Sequence, residues 1–104
     1  MPTAMEMKAN SFLSSEFELP KGNYRVVFLV HVGTIAALFC EQSYHELEQL
    51  VCEYRLGKLK WRLVNYKSYS DISRIARPEE YKQLYQSLEE AGYKVTSVLS
   101  CQIT

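Results

Sequence analysis

The sequence predicts an α+β domain: a mostly antiparallel sheet of four to five strands with two amphipathic helices packed on one face. Three patterns predict it. The run Tyr24–Val32 is rich in Val, Phe and Leu and apolar on both faces, as a central strand is. The segments after Ser43 and after Pro78 space their apolar residues by three and four, as a half-buried helix does. Lys58–Tyr66 and Lys94–Thr104 alternate apolar with polar residues, the mark of strands with one covered face. The expected element order is β-β-β-α-β-α-β.

Residues 1–11 show no sustained period and are read as a loose N-terminal arm, leaving 12–104 as a single domain. Phe12 to Leu19 is read as a further strand, and Pro20, Lys21, Gly22 and Asn23 form a reversing turn into Tyr24–Val32. Gly33 and Thr34 then turn the chain, and Ile35–Cys40 is read as a second apolar strand, although a short helix over Thr34–Cys40 satisfies the same period. Ser43 and Glu46 make a capping box, so a helix is expected from there, with Tyr44, Leu47, Leu50, Val51 and Tyr54 buried and Gly57 as its exit. Lys58–Tyr66 presents Leu59, Trp61 and Leu63 on one face and Lys58, Lys60 and Arg62 on the other. Residues 67–77 carry three serines and are read as a long loop with room for one helical turn. Pro78 opens the second helix, whose buried stripe is Tyr81, Leu84, Tyr85, Leu88 and Ala91, and Gly92 ends it.

The bulk composition excludes much and selects little. Twelve Lys plus Arg balance twelve Asp plus Glu, and 47% of the residues are hydrophobic. Such a chain is neither disordered nor the strongly basic binder typical of nucleic-acid proteins. The apolar segment Val26–Cys40 is interrupted by His31, Gly33 and Thr34 and falls short of the roughly twenty residues a spanning helix requires, so no membrane contact is expected. No secretory leader is read in the first twenty residues, and Cys40, Cys52 and Cys101 are an odd set at unrelated spacings, so free thiols in the cytoplasm are expected.

No residue set defines a chemistry. His45 and Cys52 would share the exposed side of the first helix about 10 Å apart, too far for a common metal or proton. Cys40 and Cys101 fall in apolar strands and are read as small buried hydrophobes. His31 sits among Val, Phe and Leu without a nucleophile or acid indicated beside it, and neither phosphate-cradling glycine motif occurs in the chain. The expectation is therefore a non-catalytic protein with no metal and no cofactor.

Charge and exposed apolar surface carry the remaining functional signal. From Arg55 to Arg77 seven cations face the single acid Asp71, with Trp61, Tyr66 and Tyr69 interleaved. Glu41 to Glu53 holds four glutamates and no basic residue, and the second expected helix holds four glutamates against Lys82. Opposed regional charge on a neutral domain suits a protein partner, and the expected contact residues are Lys58, Lys60, Arg62, Tyr66, Lys67, Tyr69, Arg74 and Arg77. The basic strand and loop over residues 55–77 suit single-stranded RNA as the alternative, by phosphate contact and base stacking. With both helices on one face, Val27, Leu29 and His31 would form an uncovered apolar patch on the other, met by a second copy of the chain or covered by Phe12–Leu19. The reading is a small cytoplasmic regulatory or adaptor protein that self-associates.

Overall fold

A computed structural model describes residues 19–45 and 48–101. The expected arm over 1–11 and the strand before Leu19 lie outside them. The domain is a small α+β fold: β1 (Gly22–His31), β2 (Thr34–His45), β3 (Glu48–Arg55), β4 (Lys58–Asn65), α1 (Tyr66–Asp71), β5 (Ser73–Ile75), α2 (Pro78–Glu90) and β6 (Tyr93–Ser97). The strands form one sheet in the order β4-β3-β2-β1-β5, antiparallel throughout that path, while β6 lies parallel to the first half of β1.

The expected helix from Ser43 to Gly57 is not formed: Ser43, Tyr44 and His45 belong to β2, Glu48–Arg55 is β3, and Leu56 and Gly57 form a turn. The reason lies in the position of β3. It is an inner strand covered on both faces, with Leu50 and Cys52 buried on one and Gln49, Val51 and Glu53 on the other. Apolar residues at both parities of a strand reproduce the three-and-four spacing of a helix, so the period alone does not separate them. The short-helix option over Thr34–Cys40 falls with it, since the strand reading is the one observed.

Two-residue turns set the register of the sheet. Val32-Gly33 joins β1 to β2 and Leu56-Gly57 joins β3 to β4, with all four residues at positive φ (+47°, +79°, +50° and +76°). Such mirror-image turns match the twist of the strands they connect. Between Leu38 and Ser43 the β2–β3 register slips. The buried Gln49 amide donates there to the carbonyls of Phe39 (2.6 Å) and Cys40 (3.1 Å), supplying the donors that the irregular ladder withholds.

The helices lie on opposite faces of the sheet, not on one as expected. α2 packs Leu84 and Leu88 onto Val26, Phe28, Phe39 and Cys52, and the Tyr81 ring stacks on Phe28 at 4.0 Å between centroids. α1 sends Tyr69 to the other face, against Val27, Leu29, Ala36, Leu38 and Val51. The C-terminal segment completes that cover: Val98 and Cys101 pack there, the Val98 amide donates to the Val26 carbonyl at 2.9 Å, and Cys101 forms a disulfide with Cys40. Val27 and Leu29 are consequently buried by their own chain, and the oligomer patch expected at Val27, Leu29 and His31 is not an open surface. The free-thiol reading of Cys40 and Cys101 is corrected as well. Cys52 is the unbonded cysteine, but it is buried in the α2-side core and not exposed beside His45.

α2 starts as expected. Pro78 occupies its first turn, and the Glu80 carboxylate accepts from the Arg77 amide at 2.8 Å. The Arg74 guanidinium meets the same carboxylate with two hydrogen bonds of 2.9 and 2.7 Å. That guanidinium first, and the Arg77 amide second, hold the Glu80 carboxyl down to about 2. A carboxylate with a lowered folded pKa stabilises the fold above its unfolded value, about 4.3, and that contribution is lost as pH falls through the folded value. Urea unfolding of wild type and Glu80→Gln should therefore differ most above pH 5 and converge as pH approaches about 2. A difference that does not change with pH would show that the Glu80 charge is not what holds this corner.

Candidate interaction surface

Among the described residues β4 pairs with β3 only and forms one margin of the sheet. Its cations are set by register: Lys58 lies opposite Arg55, Lys60 opposite Glu53 and Arg62 opposite Val51. Directly paired residues share a face, so Arg55, Lys58, Lys60 and Arg62 lie on the α1 side of the sheet. An open groove of about 480 Å³ runs beside them, lined by Glu53, Arg55, Lys60, Trp61, Arg62 and Leu63.

Glu53 lies at the base of this surface, fully buried. Its carboxylate is satisfied from several directions. Tyr69 donates its hydroxyl to Oε2 at 2.6 Å, Arg55 donates Nε–H to Oε1 at 3.1 Å, and the Arg62 guanidinium approaches Oε1 at 3.6 Å. Burial, and then the Glu53 carboxylate, push the Tyr69 phenol far above its ordinary range, so it keeps its proton as donor. Arg62 also lies 6.0 Å from the Tyr69 ring centroid. A buried charge with this many partners is tolerated, and it fixes α1 against the sheet through Tyr69.

His31 stacks on the Tyr69 ring, with centroids 3.6 Å apart and planes 8° from parallel. Its Nδ1 lies 2.9 Å from Ser73 Oγ, and that hydroxyl donates to the Tyr69 carbonyl at 2.6 Å. With the Ser73 proton committed to the carbonyl, His31 must be the donor, so Nδ1 carries the hydrogen. The arrangement ties β1, α1 and β5 together and leaves Ser73 without a base to activate it. Cys52 offers no nucleophile either, since burial pushes its thiol well above the usual range.

The expected contact residues divide into two groups. Lys58, Lys60, Arg62, Tyr66 and Lys67 are brought to the α1 side of β4 or to the start of α1, and Tyr66 is exposed. Tyr69 is buried under α1, which removes its ring from any ligand. Arg74 and Arg77 are turned away, paired with Glu80 and with Glu79 at the head of α2. The basic stretch is thus partly discharged inside the fold. Among the described residues, Lys58, Lys60 and Lys67 have no carboxylate partner.

Glu53 belongs to this surface but was not expected there, because it fell within the segment read as the first helix; Arg55, the first cation of the basic stretch, joins it. The signal that finds them is Arg55-Leu56-Gly57-Lys58, an X-Gly pair between two apolar runs, which marks a hairpin. Read as one, it places Gln49, Val51, Glu53 and Arg55 on a single face.

No group of His, Cys, Asp and Glu among the described residues is arranged to hold a metal ion, and no described helix is long and apolar enough to cross a membrane. No protein-family model matches the chain, and neither a curated protein nor a solved structure matches it significantly.

Proposed function

We propose that the domain is a non-catalytic regulatory or adaptor protein that binds an acidic partner protein through the α1-side face of β4. What supports this reading is the set of cations at Arg55, Lys58, Lys60 and Arg62 beside an open groove, on a surface made rigid from below by the Glu53–Tyr69 contact. Complementary charge steers and orients such an encounter. Support for RNA is weaker, because Trp61 and Tyr69 are buried and Tyr66 is left as the exposed ring of the set. Self-association loses the apolar patch that motivated it. The cytoplasmic reading likewise loses the support it drew from unpaired cysteines, since Cys40 and Cys101 are bonded.

The test compares wild type with the Lys58→Glu/Lys60→Glu variant, two substitutions at exposed positions of an otherwise unchanged strand. Each is used to capture proteins from native extract, and captured candidates are purified and measured directly. A partner retained by wild type should associate about tenfold more slowly, or worse, with the variant at low salt, and the difference should shrink at high salt. If no purified protein distinguishes the two, the reading fails. Salt-sensitive retention on a single-stranded RNA oligonucleotide, lost in the variant, would install the alternative in its place.

A further inference from the structure

The two X-Gly turns carry the wrong residue for their backbone. Mirror-image turns need positive φ at both central positions and favour Asn or Gly at the first. Here the first positions hold Val32 (φ +47°) and Leu56 (φ +50°). A β-branched or bulky side chain in the left-handed region is an uncommon and unfavourable choice, because its Cβ crowds the backbone. Packing does not compensate for it, since Val32 is 74% and Leu56 98% exposed. Strain held at exposed aliphatic side chains marks positions kept for contact and not for the fold.

Both tips lie at one end of the sheet. His31 pairs with Thr34, Ile35 with Tyr54 and Arg55 with Lys58, so the β1–β2 and β3–β4 turns emerge side by side, about two strand spacings or roughly 10 Å apart. Ile72, 62% exposed, joins them there, because the next residue, Ser73, pairs with His31 at the same end. The cations are adjacent: Arg55 precedes Leu56, Lys58 follows Gly57, and Lys60 lies on the same face of β4. Asp71, beside Ile72, is the opposing acid on this end, and Glu53 is buried beneath Arg55.

We propose that this end of the sheet docks on an anionic bilayer surface, with Leu56, Val32 and Ile72 entering the headgroup boundary and Arg55, Lys58 and Lys60 meeting the lipid phosphates. Separate aliphatic tips, one of them flanked by Arg55 and Lys58, fit a fluid, negatively charged interface, which needs no matching pocket. A protein interface of stable size requires a continuous surface of about 800 Å² per partner, which isolated tips do not supply. The contact is peripheral, so it needs no spanning helix, of which the described residues hold none; it shares Arg55, Lys58 and Lys60 with the protein-partner reading above and adds the aliphatic tips, which that reading does not use.

The experiment is flotation of the oxidised protein with vesicles of pure phosphatidylcholine and with vesicles containing phosphatidylserine, for wild type, Val32→Asn, Leu56→Asn and Lys58→Gln. Wild type should partition onto the anionic vesicles alone. Each Asn variant should lose about tenfold in partitioning, and Lys58→Gln about fivefold. The Asn variants should also melt at a higher temperature than wild type, because asparagine tolerates positive φ. Weaker binding together with higher stability is the pattern that a merely structural turn residue would not produce. No partitioning onto anionic vesicles at low salt, undiminished partitioning of both Asn variants, or a lower melting temperature for them would each overturn the proposal. So would tip variants that lose affinity for a purified protein partner while wild type ignores vesicles.

Discussion

Breaking the Cys40–Cys101 disulfide is expected to lower the stability of the domain by about 2–4 kcal/mol. The bond spans 61 residues of sequence, and cross-linking so long a loop removes much of the freedom of the unfolded chain; loop closure by itself accounts for about 4 kcal/mol. The native state loses something too. Cys101 anchors the segment that carries Val98 and completes the cover that Tyr69 begins over Val27, Leu29 and Leu38. Urea unfolding with and without dithiothreitol measures the effect, and Cys101→Ser, at a half-buried position, reproduces it without reductant. In the reduced protein the Val98 amide should also exchange faster with solvent, since its bond to Val26 is held in place by the anchored segment. An unchanged midpoint, or an intact mass showing two more hydrogens in protein purified under oxidising conditions, would contradict this.

Tyr69→Phe should cost about 2–3 kcal/mol, a large effect for the loss of one oxygen. The hydroxyl it removes is the partner of Glu53 Oε2, a carboxylate oxygen with no access to water. Hydrogen bonds to charged groups rank among the stronger ones, and an unpaired buried acceptor bears its full desolvation cost. Replacing both partners by apolar groups, Tyr69→Phe with Glu53→Leu, should cost clearly less than the two single changes together, with a coupling of about 1 kcal/mol or more. Arg55 and Arg62 are each about half exposed, so in the double variant they turn to water instead of being stranded. Additive effects would mean that the Tyr69–Glu53 bond adds little of its own. The double variant also bears on function: it keeps all four cations of the β4 face while removing the contact that fixes α1 beneath them. A partner that reads the cations alone should bind it nearly as well as wild type.

The α+β class, the central apolar strand, the alternating strand β4 with its lysines and the helix Pro78–Glu90 are legible in the sequence. In each the pattern is local: one covered face gives one period, and proline and glycine mark the ends. It also located the basic stretch. Tertiary structure alone decided the rest. Whether Glu48–Arg55 was helix or strand depended on neighbours on both sides of β3, because a strand covered on two faces has no period of its own. Which face α1 covers depended on Tyr69 finding Glu53, 16 residues away, and this turned the expected oligomer patch into core. The pairing of Cys40 with Cys101 and of Arg74 with Glu80 likewise depended on where the chain returned, not on spacing. A sequence displays its charges and thiols one by one; which of them are spent on each other, and which stay available to a partner, is settled when strands distant in the chain become neighbours in the sheet.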